Sequence, residues 1–529
     1  MNRIKVLDCT LRDGGYVNNW EFGENNIKSI VKKLSASELE IVECGFLTNK
    51  VRINKDSSKF PTIESISSVF PLLKANTDYV CMINYGEYNI EDLPDYDGNS
   101  VSGIRVAFHK KDLEGALEFC TGIVEKGYKL FMQPMVSVSY SDIEFIELIR
   151  KSNEISPYAF YIVDSFGVMK KSDLMRLFDL VDHNLDKDIY VGYHSHNNIQ
   201  LSYSNAQALV DLKTKRKLII DSSVFGMGRG AGNLNTELFV EYLNDVNGSH
   251  YKTKPLLQII DEVLNNIYMS NYWGYSLPHY ISAKHNCHPN YATYLSAKDT
   301  LTAEDISNIL MMLDESQKVN FDAEYVEKLY LNYQSHKIDD SDTINKLKEI
   351  FRGKNVIAIA PGMSISDSEK TIQELTKQSN TLTVSVNFNP QKIEVDYVFI
   401  SNLKRYEQLE IENSNNLIVT SNVTGASNTA LKVNYIDLLI ENLAVSDNAG
   451  LMLIKLLSKL EVASIKLAGY DGYSYDAYEN YAEKDLALIK KKTIVDALNE
   501  GMKKTLRDFT KHTDIQFVTS TRYVNLEAN

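Results

Sequence analysis

Short apolar, β-branched runs recur with a regular beat over the first 228 residues. They fall at 4–10 (IKVLDCT), 39–46 (LEIVECGF), 79–84, 103–108, 129–135, 160–166, 189–196 and 218–228. Between most of them the apolar positions switch to helical spacing, as in 25–38 (NNIKSIVKKLSASE), 111–127, 140–154 and 171–184. Continuous apolar runs suit strands covered on both faces. A strand followed by a helix, repeated eight times, predicts a (β/α)8 TIM barrel in the α/β class. The 79–84 and 103–108 strands belong to the shortest units.

Beyond the barrel the rhythm changes twice. Residues 302–316, 322–334 and 341–353 carry helical patterns without intervening strands. From about 353, strand-like runs return (NVIAIA, LTVSVNFN, DYVFIS, NLIVTSN, SIKLAGYDGY) with helices between them. The expected domains are a barrel over 1–290, a helical extension over 291–352 and a second, smaller α/β domain over 353–529. In the last of these the APGMSI turn (360–365) joins a strand to a helix, where amide groups can hold a phosphate or nucleotide. Nucleotide binding there stands against a scaffolding or oligomerising role.

Composition narrows the classes. At 529 residues the chain exceeds a single core. Its 44% hydrophobic and 24% charged residues are ordinary for a globular protein. A net charge of −14 argues against nucleic acid or an anionic membrane as partner. The start MNRIKVLDCT lacks a long apolar segment, and five scattered cysteines without C-x-x-C spacing read as reduced thiols. A cytoplasmic location is expected.

The chemistry sits at the strand ends. TLRDGG (10–15) follows the first run and places Arg12 and Asp13 there; HSHNN (194–198) ends the seventh and places His194 and His196 on one face of a strand. In a barrel all strand C-termini share one rim. Residues far apart in sequence therefore meet: Arg12, Asp13, Glu43, Arg105, His109, Gln133, Asp164, His194 and His196. One aspartate with two same-face imidazoles is a divalent-metal set, suited to Mn2+ or Mg2+ first and to Co2+ or Zn2+ next. Such a metal, beside Arg12, would hold a 2-oxo acid and stabilise an enolate. GMGRGAGN (226–233) has glycine at every second position from 226 to 232 and reads as a rim loop. Its Asn233 is either a further metal ligand or a cap for the helix that follows.

TLRDGG, HSHNN and GRGAGN followed by TE resemble the DRE-TIM metallolyases, the superfamily of 3-hydroxy-3-methylglutaryl-CoA lyase, isopropylmalate and homocitrate synthases and 4-hydroxy-2-oxovalerate aldolase. The aldolase branch is the nearest in kind, over roughly residues 1–290. The resemblance implies Asp13, His194 and His196 as metal ligands, Asn233 as a further one, Arg12 as the enolate-stabilising cation and Glu43 as the family's acid at the second strand. It implies a divalent-metal-dependent lyase that splits a 4-hydroxy-2-oxo acid into pyruvate and an aldehyde, or runs the reverse. A Claisen-type acyltransferase using an acyl-CoA is the competing reading, and a barrel serving only as scaffold is the third. A small-molecule 2-oxo acid is the expected partner, with no nucleic acid or membrane, and a homo-oligomer is compatible with this. The chain departs from the aldolases at position 16, where they place a catalytic histidine and this sequence has Tyr16. The base therefore stays open among Tyr16, His109 and His288. The stretch 276–294, dense in His, Asn and Tyr, either folds back over the barrel mouth or is a tightly turned connector.

Overall fold

The apolar runs of the first half close on themselves. A computed structural model describes residues 3–69, 77–298, 300–409, 416–476, 479–482 and 492–523. Eight parallel strands form the barrel: β1 (Ile4–Asp8), β2 (Ile41–Leu47), β4 (Asp78–Asn84), β5 (Gly103–Phe108), β6 (Lys129–Pro134), β7 (Ala159–Asp164), β8 (Tyr190–Ser195) and β9 (Leu218–Ser222). A two-residue strand, β3 (Lys59–Phe60), lies along the outer end of β2. The order β1-β9-β8-β7-β6-β5-β4-β2 is closed by pairing of β1 with β2. The barrel interior is filled by Leu7, Ile41, Val80, Phe131, Tyr161 and Ile219, among others. The outward faces of the strands pack under helices such as Glu24–Ala36, Leu113–Glu125, Asp142–Ile155 and Lys171–Asn184. Ser141 starts the third of these with a reciprocal cap to Glu144.

Two departures from the sequence pattern matter for the rim. The run 218–228 leaves the sheet at Ser222. Its continuation is pulled aside by the Thr10 hydroxyl, which accepts the Val224 N–H at 2.8 Å, and turns at Gly226 with φ +60°. The glycine-rich stretch is therefore loop, not strand. In β2 the register slips between Glu43 and Phe46. Gly45 sits there at φ +143°, and a Cβ on it would lie 1.9 Å from the Ser58 carbonyl oxygen. Only glycine permits that approach.

The chain divides into two compact units, residues 1–292 with 314–321, and residues 293–313 with 322–529. The helical stretch expected as an extension is thus shared out. Residues 314–321 join the barrel, where the Tyr291 hydroxyl lies between the carbonyls of Gln317 and Asn320 with one proton to share, and the His288 N–H donates to the Lys318 carbonyl. Leu347 and Phe351 enter the core of the second unit instead. That unit is an open parallel sheet in the order β14-β13-β12-β11-β10-β15-β16, made of β10 (Asn355–Ile359), β11 (Thr381–Val386), β12 (Tyr397–Ile400), β13 (Leu417–Thr420), β14 (Leu431–Val433), β15 (Ser464–Ala468) and β16 (Ile515–Phe517). The APGMSI turn does lie between strand and helix, but the helix is the four-residue Ser364–Asp367. The Asp471 carboxylate already accepts its Ser364 N–H at 2.7 Å and its Ser364 hydroxyl. A carboxylate in that position repels a phosphate.

Candidate metal centre and active site

At the C-terminal rim the structure brings the two sequence words into contact. The turn after β1 is tied by the Arg12 and Asp13 N–H groups, which both donate to the Cys9 carbonyl. It is anchored from outside by Trp20, whose Nε1 donates to the Arg12 carbonyl at 2.7 Å. This aims Asp13 at the two β8 imidazoles. Asp13 Oδ2 stands 3.1 Å from His194 Nε2 and 3.7 Å from His196 Nε2. All three side chains are buried.

A chain of charges fixes them. Arg12 Nη1 donates to Asp13 Oδ2 at 3.0 Å and Nε to Glu43 Oε2 at 2.9 Å. The same Glu43 oxygen accepts from Arg105 Nη1 at 2.7 Å. Arg105, with no solvent exposure, also pairs with Asp221, and Asp221 Oδ2 meets His194 Nδ1 at 2.9 Å. Tyr161 completes the set with a 3.0 Å hydrogen bond to Asp221. A carboxylate on the far nitrogen orients an imidazole and raises its basicity as a ligand. Asp221 was not among the residues singled out in the sequence. Its signal was a carboxylate inside the apolar run LIID, on the strand beside His194.

These contacts set the protonation states. Burial alone would raise the Asp13 carboxyl; Arg12 and the two histidines outweigh it and hold it well below the carboxylate range. Burial drives His196 down to about 3, against the pull of Asp13, so its imidazole is neutral with a lone pair to offer. Burial also acts to lower His194, but the hydrogen bonds of Asp13 and Asp221 win and raise it. Cys9 lies in ligand range of Asp13 and His194, yet burial pushes its thiol well above the ordinary value. The thiolate is the metal-binding form, so His196 is the better third donor.

The donor set fits a divalent ion. For a cation about 2.0–2.2 Å from oxygen and nitrogen ligands, neighbouring donor atoms stand roughly 3 Å apart, close to the spacing of Asp13, His194 and His196. Asn233 backs the group. Its backbone bridges to His196, its Nδ2 faces Cys9 Sγ at 3.6 Å, and its buried Oδ1 has no protein partner. Arg12 Nη2, Glu43 Oε1, Gln133 Nε2 and Arg229 Nε are likewise buried and unpartnered. Buried polar atoms are normally satisfied, so such a concentration at one rim marks a place for ligands. Asp164, by contrast, serves the fold: its carboxylate accepts the Val168 and Met169 N–H groups.

Beside the cluster opens a cavity of about 270 Å3, lined in part by Tyr16, His109, Arg229 and His288. Arg229 marks the junction. Its N–H donates to Asp13 Oδ1 at 3.3 Å, its Nη2 to the Ser165 carbonyl at 2.8 Å, and its guanidinium lies 5.6 Å from the Tyr16 ring centre. Tyr16 is 41% exposed and packs edge-on against Trp20. Burial raises its phenol pKa more than Arg229 lowers it. His288 stacks on Phe321 with its Nδ1 accepting the Asn290 N–H. Arg12, Asp13, Glu43, His194, His196 and Asn233 thus form one cluster, with Tyr16, His109 and His288 on the wall of the adjoining cavity.

Residues 106–264 match a family model described as HMGL-like. Over 241 residues the chain is 24% identical to oxaloacetate decarboxylase of Mycobacterium tuberculosis, covering 45% of this chain and 69% of that protein. Over 240 residues it is 25% identical to a 4-hydroxy-2-oxovalerate aldolase of Comamonas testosteroni, covering 45% and 67%. Among solved structures, the N-terminal domain of a candidate aldolase from Bacteroides vulgatus is 26% identical, with a TM-score of 0.48, covering 55% of this chain and 96% of that one. The family match and the curated relatives agree with the motifs at the strand ends: the barrel unit carries an HMGL-like domain of the DRE-TIM metallolyase superfamily.

Proposed function

We propose that the barrel is a divalent-metal-dependent aldolase acting on a 4-hydroxy-2-oxo acid, which it splits into pyruvate and an aldehyde or forms from them. The observation that carries this reading is the convergence of His194 and His196 on one Asp13 oxygen, with Arg12 bonded to that same oxygen. A metal held by Asp13, His194, His196 and Asn233 would supply Lewis-acid chemistry to the carboxylate and carbonyl of the 2-oxo acid. Arg12, fixed by Glu43, stabilises the negative charge that gathers on the carbonyl oxygen as the enolate forms. Glu43 and Asp221 are positioning residues: one holds both arginines, the other sets the His194 ring. Tyr16 stands between the cluster and the cavity. Its pKa, raised from the ordinary phenol value, keeps it protonated near pH 7, so it donates a hydrogen bond to the aldehyde oxygen as that oxygen takes up charge.

Loss of carbon dioxide from oxaloacetate reaches the same pyruvate enolate. Likeness to an oxaloacetate decarboxylase therefore supports the same half-reaction as likeness to an aldolase.

The test is exchange of the pyruvate methyl protons in D2O, followed by NMR. Metal-loaded protein is expected to catalyse exchange, and stripped protein or His196→Ala to lose it together with Mn2+ binding measured by calorimetry. Exchange that persists in stripped protein refutes the site. Turnover only with acetyl-CoA and a 2-oxo acid moves the assignment to the acyltransferases.

A further inference from the structure

The cavity beside the cluster has room for more than a two-carbon aldehyde, and its wall is rich in polar groups. Its volume of about 270 Å3 lies just under the range of roughly 300–1,000 Å3 that accommodates drug-sized ligands, which suits a small sugar. It starts at Tyr16 and Arg229 and extends along His109, Asn84 and His288, closed on one side by Asn320 and Phe321. Burial lowers both imidazoles, His288 to about 3, so each is neutral near pH 7; His109 offers one donor and one acceptor, and His288 a single donor. The His288 proton sits on Nε2, because Nδ1 accepts the Asn290 N–H at 3.2 Å. A hydroxyl also donates and accepts, and it matches such a wall. Phe166 and Phe321, packed around His288, give apolar faces for C–H groups.

Two other classes fit worse. An alkyl aldehyde would leave the His109 ring and the His288 Nε2 proton facing no polar group, and Asn84 with only its 3.5 Å contact to Glu87, which costs affinity. A phosphorylated or carboxylated aldehyde would meet two carboxylates, Glu87 and Asp112, on the same wall against one guanidinium, Arg229, whose Nη2 is already held by the Ser165 carbonyl.

Resting on the aldolase reading above, we propose that the aldehyde partner is an uncharged polyhydroxylated aldehyde, an open-chain sugar in chemical terms, with His109, His288 and Asn84 binding its hydroxyls. In the forming direction one C–C bond joins pyruvate C3 to the aldehyde carbon. The C3 proton leaves to solvent, the carbonyl oxygen becomes a hydroxyl, and nothing is oxidised or reduced.

The experiment supplies metal-loaded full chain with pyruvate and, in turn, acetaldehyde, D-erythrose and D-erythrose 4-phosphate, with product formation and kcat/KM followed by NMR. The expected result is at least a tenfold preference for erythrose over both competitors. His288→Leu and, separately, Asn84→Leu should each cut the erythrose-to-acetaldehyde ratio about tenfold, in protein whose tryptophan fluorescence shows a folded barrel. Preference for acetaldehyde or for the phosphate ester, or a ratio unmoved in both variants, overturns the inference while pyruvate methyl exchange leaves the aldolase reading standing. Absence of that exchange overturns both.

Discussion

Glu43→Gln isolates the electrostatic balance under the site. The wild-type carboxylate has no solvent exposure and serves two guanidinium groups through one oxygen, Arg12 at 2.9 Å and Arg105 at 2.7 Å. The amide keeps the shape and removes the charge. Hydrogen bonds to a charged partner contribute about 1.5–3 kcal/mol, against about 0.5–1.5 for neutral ones, so the two bonds together lose about 2–3 kcal/mol. Breaking a buried pair outright costs about 3–5 kcal/mol. Each arginine retains one carboxylate, Asp13 for Arg12 and Asp221 for Arg105, which places the expected loss near 3 kcal/mol. At about 2–4 °C per kcal/mol for a large domain, the midpoint falls by roughly 6–12 °C. The assay follows from composition. The chain has two tryptophans, and both, Trp20 and Trp273, are buried in the barrel unit at 7% exposure. Intrinsic fluorescence therefore reports that unit's unfolding. Glu114→Gln, which removes the exposed partner of Lys151, serves as control and should leave the midpoint in place. A Glu43→Gln midpoint within about 2 °C of wild type, equivalent to less than about 1 kcal/mol, would show that Glu43 does not balance the two arginines.

Gly45→Ala should harm the barrel more than Glu43→Gln does, because its Cβ would meet the Ser58 carbonyl at 1.9 Å at a φ of +143°; folded protein at the wild-type midpoint would contradict this. Burial raises the Asp8 carboxyl to about 6, against its hydrogen bonds to Thr236 and Thr10. The folded state then holds this proton more tightly than the unfolded chain, so the contribution is present in full only below the unfolded pKa of about 4 and is lost as pH rises through about 6. Relative to wild type, Asp8→Asn should gain about 2 kcal/mol between pH 4.5 and 7.5, read from urea midpoints at those two values; a gap that is the same at both pH values counts against it. Tyr16→Phe should lower kcat for aldol formation by about 10²–10³, the scale of one lost donor at a developing oxyanion; an effect confined to KM would make Tyr16 a binding residue only.

Much of the barrel was legible because burial on both strand faces writes a continuous apolar run, and the period changes visibly where helices cover it. The rim was legible for the same reason: a polar residue ending such a run, as His194 and His196 do, stands out. The interior charges were not. Arg105 reads as one more polar residue of the rim and Asp221 as an interruption in an apolar strand, and nothing in their spacing says that they pair with each other across the barrel. Arg229 looked like a spacer among glycines, and its place between Asp13, Ser165 and Tyr16 follows from a loop that leaves the sheet at Ser222.

The sequence by itself determined the periodicities, and with them the parallel α/β architecture, the rim positions of Arg12, Asp13, His194 and His196, and the superfamily resemblance. These are local properties, set by which residues alternate and where an apolar run stops. Tertiary structure alone decided that one Asp13 oxygen faces both imidazoles, that Glu43 and Asp221 tie the arginines and His194 into one network, and that His109 and His288 share a cavity wall. Those are distances between strands and loops remote in the chain. They depend on barrel closure, on the slip at Gly45 and on the return of residues 314–321 to the barrel, none of which a pattern along one segment can encode.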